Sequence, residues 1–227
     1  MEKTVAVAID GPAGAGKSST ARQVALELGM TYIDTGAMYR ALTWLALEKE
    51  VSTRDEEGLH RLLKNMALEL VTGTGTDRVI VDGTDVTEAI REPRVTAEVS
   101  YTAVHEKIRQ AMVEKQRELA SQGSVVMDGR DIGTAVLPDA ELKFYLTASV
   151  EERAARRFAE EKKKGIPSEL EQLKKEIAER DRIDSEREFA PLTKAEDAEE
   201  VDTTAMEFEE VVQFLINRIG SRVSAGE

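Results

Sequence analysis

The chain has 227 residues, no cysteine, 41% hydrophobic and 33% charged residues, and a formal net charge of −13. That length supports one substantial core with lobes attached, and the composition is that of a soluble globular protein. Disulfides, thiolate metal sites and cysteine nucleophiles are excluded, and so acidic a chain has no cationic field for a nucleic-acid backbone. The opening apolar run, Val5 to Ile9, is too short for a secretion signal or a membrane span, so a cytoplasmic protein with no membrane partner is expected.

In chain order, Val5–Ile9 reads as a short buried parallel strand that ends at Asp10-Gly11. A glycine-rich turn follows, then a helix from Ser18 to Leu28 with Gly29 as its C-cap. Tyr32–Asp34 predicts a second strand and Ala37–Glu48 a helix in which Trp44 fills core. Leu59, Leu62, Leu63 and Met66 mark another amphipathic helix. From Leu68 to Asp82, two β-branched runs flank a Gly/Thr turn containing Gly73-Thr-Gly75, the pattern of a local hairpin. Helical character resumes from about Arg94 to Ala120, and Val125–Asp128 and Lys143–Leu146 are further strand candidates. Ser149…Glu152, Ser168…Glu171 and Thr204…Glu207 each read as a capping box, the last opening a helix from Met206 to Ile219. His60, His105, Lys162–Lys164, Glu199-Glu200 and the tail after Ser221 read as solvated surface. Strands alternating with helices predict an α/β fold with a parallel sheet and right-handed crossovers.

Two features point to phosphate chemistry. From Glu151 to Arg187 there are 11 of the 31 basic residues, balanced by 11 acidic ones, so cations concentrate locally in an acidic chain. The second feature is Gly11-Pro-Ala-Gly-Ala-Gly16-Lys17-Ser18, which fits G-x-x-x-x-G-K-[ST] with a strand before it and a helix after. Inward-turned backbone N–H groups and the helix N-terminus suit phosphates. Gly11, Pro12, Ala13, Gly14, Ala15, Gly16, Lys17, Ser18 and Ser19 are thus the expected ATP loop. Lys17 would reach the β- and γ-phosphates, and the Ser18 hydroxyl would hold Mg²⁺ brought with ATP. Asp128 ends an apolar run as a Walker-B-like acid does, and would orient either Arg130 or second-shell water at Mg²⁺.

Three further segments carry a resemblance: Asp34-Thr-Gly-Ala-Met-Tyr-Arg40, Asp128-Gly-Arg-Asp131-Ile-Gly-Thr and Glu179-Arg-Asp-Arg-Ile-Asp184-Ser-Glu-Arg187. In order, and together with the loop, they resemble bacterial cytidylate kinases from Val5 to about Ile219. The resemblance implies a phosphate-loop core with helices on both faces, formed by 1–34, 121–150 and 188–227. It also implies an acceptor-nucleotide region, 35–120, with a β-rich insert near 65–95, and a helical lid with the helix after it, 151–187. The implied activity is transfer of the γ-phosphoryl group of ATP to CMP or dCMP by a monomer with these small-molecule substrates as partners. By the same resemblance Thr35, Arg40 and Arg130 contact the acceptor phosphate, with Asp128 beside them and Arg187 assisting. Ser100, Arg109 and Asp131 read the cytosine, Arg180 and Asp184 hold the sugar, and Arg153, Arg156 and Arg157 reach the ATP phosphates.

Helical geometry constrains two of these assignments. At 100° per residue, Leu170, Leu173, Ile177, Arg180, Asp184 and Arg187 fall within one arc of roughly 100°, an apolar stripe that turns into Arg and Asp. Ser100 and Arg109 would stand about half a turn apart on one straight helix, on opposite faces. They can meet one base only if the helix breaks between them, near Tyr101 to His105.

Overall fold

A computed structural model describes residues 4–72 and 77–224. Strand β1 (Ala6–Asp10) runs into the glycine loop and helix α1 (Lys17–Leu28), which Gly29 stops at φ 64°. Strand β2 (Thr31–Asp34) feeds α2 (Thr35–Glu48), whose first turn is capped where the Ala37 N–H donates to the Asp34 carboxylate at 2.7 Å. Helix α3 (Glu56–Asn65) leads to an antiparallel insert of β3 (Leu68–Val71), β4 (Arg78–Val81) and β5 (Thr84–Asp85). A 3-10 turn, Ala89–Arg91, precedes α4 (Pro93–Ala103) and α5 (Glu106–Ala120). Strand β6 (Val125–Asp128), a π-helical turn at Ile132–Val136 and β7 (Leu142–Thr147) follow. Helices α6 (Val150–Lys163) and α7 (Leu170–Glu186), strand β8 (Glu199–Asp202) and helix α8 (Phe208–Ser224) complete the chain.

Strands β1, β2, β6, β7 and β8 form one parallel sheet in the order β2-β6-β1-β7-β8. Its central strands read as continuous apolar runs because both faces are covered. Ala21, Val24 and Ala25 of α1 pack with Val211, Leu215 and Ile219 of α8 on one face, while Ile132, Val136, Val113 and Leu119 cover the other. A separate core joins α2, α3, α4, α5 and the insert around Met38, Leu42, Leu59, Val81, Val99 and Met112. Since β1 has later strands on both sides, its carboxyl end is a topological switch point, where open α/β sheets bind ligands. The glycine loop leaves the sheet there.

The predicted helical stretch 94–120 is two helices, broken at Val104-His105 as the Ser100–Arg109 geometry requires; His105 is extended at φ −72°, ψ 125°. The hairpin strands pair antiparallel, although the Gly73-Thr-Gly75 turn lies outside the described residues. Several expectations are corrected. Glu199-Glu200 is solvent-accessible as expected, but it belongs to β8, an edge strand in which only Val201 is buried. Ser149 caps α6, accepting from the Glu152 N–H at 3.1 Å, but α7 starts after Glu169 without a side-chain cap. The Thr204 hydroxyl donates to Asp202 instead, and α8 begins at Phe208. It continues to Ser224, past the tail expected after Ser221; residues 225–227 lie outside the described ones. Arg187 lies one residue beyond α7, and Leu170, at the head of the predicted stripe, is exposed. His60 and His105 are half-buried, and a ring nitrogen of His105 lies 2.9 Å from the Thr53 carbonyl oxygen across the helix break. Trp44 is only partly buried, at the margin of the α2–α5 core.

Candidate active site

The loop begins flush against the sheet. Gly11 has φ 144°, and a Cβ there would lie 1.9 Å from the Leu146 carbonyl oxygen, so only glycine fits. Lys17, 5% exposed, folds back across the loop and donates from Nζ to the Pro12 carbonyl at 2.7 Å. Burial, then the nearby Arg130 guanidinium, holds its pKa well below the usual lysine value. Ser18 Oγ donates to Asp128 Oδ2 at 2.8 Å, and the Tyr32 hydroxyl donates to Asp128 Oδ1 at 2.8 Å. The Thr35 hydroxyl donates to the Asp128 carbonyl at 2.7 Å. That approach needs Gly129, where a Cβ would lie 2.6 Å from Thr35 Oγ1. One residue at the end of β6 thus joins the loop serine, the start of α2 and the segment carrying Arg130.

On the opposite wall, ion pairs link three distant segments. Arg109, 1% exposed, donates to Asp131 Oδ2 at 2.5 Å and to the Ala103 carbonyl at 3.1 Å, an acceptor freed by the helix break. Arg187 Nη2 donates to Asp131 Oδ1 at 3.2 Å. Arg130 Nε donates to Asp184 Oδ2 at 3.0 Å and the Ser100 hydroxyl to Asp184 Oδ1 at 3.2 Å. Arg40 pairs with Asp34 at 2.8 Å, but its Nε is buried without a hydrogen-bond partner. The same is true of Arg180 Nε. Burial, then Arg130, lowers the Arg180 pKa to about 10.

The two walls face one cleft of about 620 Å³, within the usual size range of ligand sites. Every predicted site residue lines it except Gly11, Pro12 and Ala15, which lie in the loop beneath. The three arginines expected to reach the ATP phosphates have protein partners here. Arg156 is turned onto Glu152 and Thr203, and Arg157 pairs with Glu161 at 2.9 Å. Arg153 is buried and holds the glycine loop itself. Tyr39 and Arg22 also line the cleft. Arg22 was detectable as the residue one helical turn beyond Ser18. Asp10 carried no such signal: its carboxylate accepts the N–H groups of Ile132 and Gly133 at 2.8 and 2.7 Å, 122 residues and more away.

Two buried acids make stability depend on pH with an unusual sign. Asp10 and Asp128 are each pushed up to about 6, first by burial. Between the ordinary aspartate value and about 6, the folded chain holds protons that the unfolded chain has released, so stability falls as pH rises through that window. Asp184 has the opposite sign. Burial alone would raise it, but Arg130, Arg180 and Arg187 hold it below the ordinary value, so its contribution is lost only in stronger acid. From pH 7 down to 5 Asp10 and Asp128 together contribute a gain of roughly 1–3 kcal/mol, against which the depressed Lys17 acts with the opposite sign. Thermal scans of the free protein should show a melting temperature that holds or rises over that range. A steady fall would contradict these environments.

A glycine loop at the switch point of a parallel sheet, facing a second wall of arginines, defines the class: a phosphate-loop kinase with a site for a phosphorylated acceptor. Comparison with known proteins narrows the class. A family model described as cytidylate kinase matches residues 7–221. A cytidylate kinase from Bacillus cereus (strain B4264) is 56% identical over 217 residues, covering 96% of each chain. One from Bacillus thuringiensis (strain Al Hakam) is 56% identical over 213 residues, covering 94% of this chain and 95% of the relative. An uncharacterized protein from Eubacterium ventriosum ATCC 27560 shares the fold at 14% identity, with a TM-score of 0.53, over 96% of this chain and 99% of that one. The chain belongs to the cytidylate kinase family.

Proposed function

We infer that the chain transfers the γ-phosphoryl group of ATP to CMP or dCMP, giving ADP and CDP or dCDP. One observation carries the reading: Arg40 and Arg180 each bury an unpartnered Nε in a cleft that also holds Lys17 and Arg130. A buried guanidinium N–H is costly to leave without a hydrogen-bond acceptor. The phosphate of the acceptor nucleotide at Arg40 and its sugar at Arg180 would supply them.

An oxygen of the acceptor phosphate attacks the γ-phosphorus in line, and the bond to the bridging oxygen of ADP breaks. A phosphate monoester is already a competent nucleophile, so positioning and charge neutralisation carry the rate rather than a general base. Lys17 exchanges the Pro12 carbonyl for the β- and γ-phosphates. Thr35, Arg40 and Arg130 hold the acceptor phosphate, with Arg187 behind them. Ser100, Arg109 and Asp131 read the base: a carboxylate fixed by two guanidiniums still accepts from a cytosine amino group. Arg180 and Asp184 hold the sugar. Arg156 and Arg157 turn from their present partners to the ATP phosphates as 151–187 closes as a lid and excludes water. The core is 1–34, 121–150 and 188–227, and 35–120 carries the acceptor.

Ser18 Oγ and Asp128 Oδ2, 2.8 Å apart, are hard oxygen donors beside the loop. No cluster of three acidic, His or Cys residues able to hold a metal occurs among the described residues. This suits Mg²⁺ held mainly by phosphates and water, with Ser18 bound and Asp128 orienting. When bound, the ion neutralises charge on the transferring group. A monomer is the proposed active unit. No helix among the described residues is long and apolar enough to cross a membrane; the proposed location is the cytoplasm.

ADP release measured with ATP and each of CMP, dCMP, UMP and AMP tests the reading. CMP and dCMP should give the highest kcat/KM, with little ATP consumed when no acceptor is present. Preference for UMP or AMP would replace the acceptor assignment. Strong ATPase activity that ignores every acceptor would point to an ATP-driven switch instead.

A further inference from the structure

One residue of the phosphate loop is held on both sides by an ion pair supplied from far along the chain. The Ala13 N–H donates to Asp181 Oδ1 at 3.2 Å, and the Ala13 carbonyl accepts from Arg153 Nη1 at 2.8 Å. The two side chains pair at 2.6 Å, and Arg153 Nε donates to the Ala148 carbonyl at 2.9 Å. The loop also touches the helix carrying Arg153: a Cβ on Gly14 would lie 3.2 Å from Arg153 Cβ. Arg153 starts α6 and Asp181 lies late in α7, and the two helices are joined by Ala154, Leu173 and Ile177.

A glycine loop has many conformations open to it, and glycine loses more entropy on ordering than any other residue. A pair that fixes both polar groups of Ala13 removes much of that freedom before ATP arrives. The cost to ATP is electrostatic, because the same carboxylate brings negative charge toward incoming phosphates. Burial and bonding decide which effect wins. Arg153 is 4% exposed and three of its contacts are at hydrogen-bond distance, so the carboxylate is neutralised locally and the ordering dominates.

We propose that Arg153 and Asp181 form a positioning pair that preorganises the ATP loop, with Arg153 acting on the loop backbone instead of on a phosphate. The proposal rests on reading the loop as the ATP site. ATP affinity thereby depends on this pair, whereas the acceptor contacts that α7 also carries, Arg180 and Asp184, do not pass through it.

The test compares the intact chain with Asp181→Asn, Arg153→Met and the double variant, measuring KM for ATP, KM for CMP and direct ATP binding. Asp181→Asn should raise KM for ATP about tenfold, equivalent to about 1.4 kcal/mol, with KM for CMP within about twofold. Because the pair acts as a unit, the double variant should cost no more than the worse single change. An unchanged or lower KM for ATP, an equal rise in both KM values, or additive losses would each overturn the proposal. A lower value would mean that the carboxylate merely occupies an amide the phosphates need. If Arg153→Met does not fold, as shown by melting, Asp181→Asn decides alone, since its side chain is part-exposed and the replacement is isosteric. Absence of ATP binding by the intact chain would instead reject the ATP-site reading.

Discussion

Arg130→Ala is expected to lower kcat/KM for CMP by about two to four orders of magnitude and to leave the protein folded. Arg130 stands between the walls: its Nε donates to Asp184, and it lies close enough to Lys17 and Arg180 to depress both their pKa values. Truncating one partner of a buried charged pair costs about 2–5 kcal/mol, and an arginine that meets a transferring phosphoryl group carries losses of this size or more. Stability should be far less affected. Asp184 keeps the Ser100 hydroxyl and lies 4.0 Å from Arg187, and Arg130 itself is part-exposed. Steady-state kinetics with a parallel thermal scan checks both halves. Arg130→Lys should recover only part of the loss, because an ammonium keeps the charge but not the planar fork. Near-normal turnover in the alanine variant would remove Arg130 from the acceptor site.

Lys17→Met should separate stability from activity in the opposite sense. In the free enzyme this lysine is desolvated, beside another cation, with one carbonyl as its hydrogen-bond partner. Methionine keeps the stem and its packing and drops the buried charge, so the melting temperature without nucleotide should hold or rise. The charge that burdens the free protein is the one proposed to meet the β- and γ-phosphates. Its loss should reduce kcat by about a thousandfold or more. Stabilisation coupled to lost function is the expected signature of a site residue kept under electrostatic strain. A clearly lower melting temperature with preserved turnover would show that Lys17 serves structure.

The parts of the site that depend on local chain geometry were legible in advance. A phosphate loop works through its own backbone amides, so Gly11–Ser18 with a strand before it and a helix after it was sufficient. The break at Val104-His105 was legible from a conflict, since Ser100 and Arg109 would otherwise lie on opposite helix faces. Strand β8 was not legible. Only Val201 of Glu199–Asp202 turns inward, so no apolar run marks a segment defined by pairing with β7. The caps at Ser168 and Thr204 failed because nearby residues determined where each helix starts: Glu169 precedes α7, and Asp202 takes the Thr204 hydroxyl.

By itself the sequence determined the parallel α/β class and the phosphate loop, because strand periodicity and glycine spacing are local properties, while the charged residues that surround the cleft were identified through the family resemblance. Only the tertiary structure decided which partner each of those charges takes. Asp10 reaches amides 122 residues and more away, Arg153 holds the Ala13 carbonyl across 140 residues, and Arg180 alone of the α7 arginines buries an Nε with nothing to bond. The physical reason is that an ion pair is worth little until burial removes competing water, and burial is a property of the assembled fold.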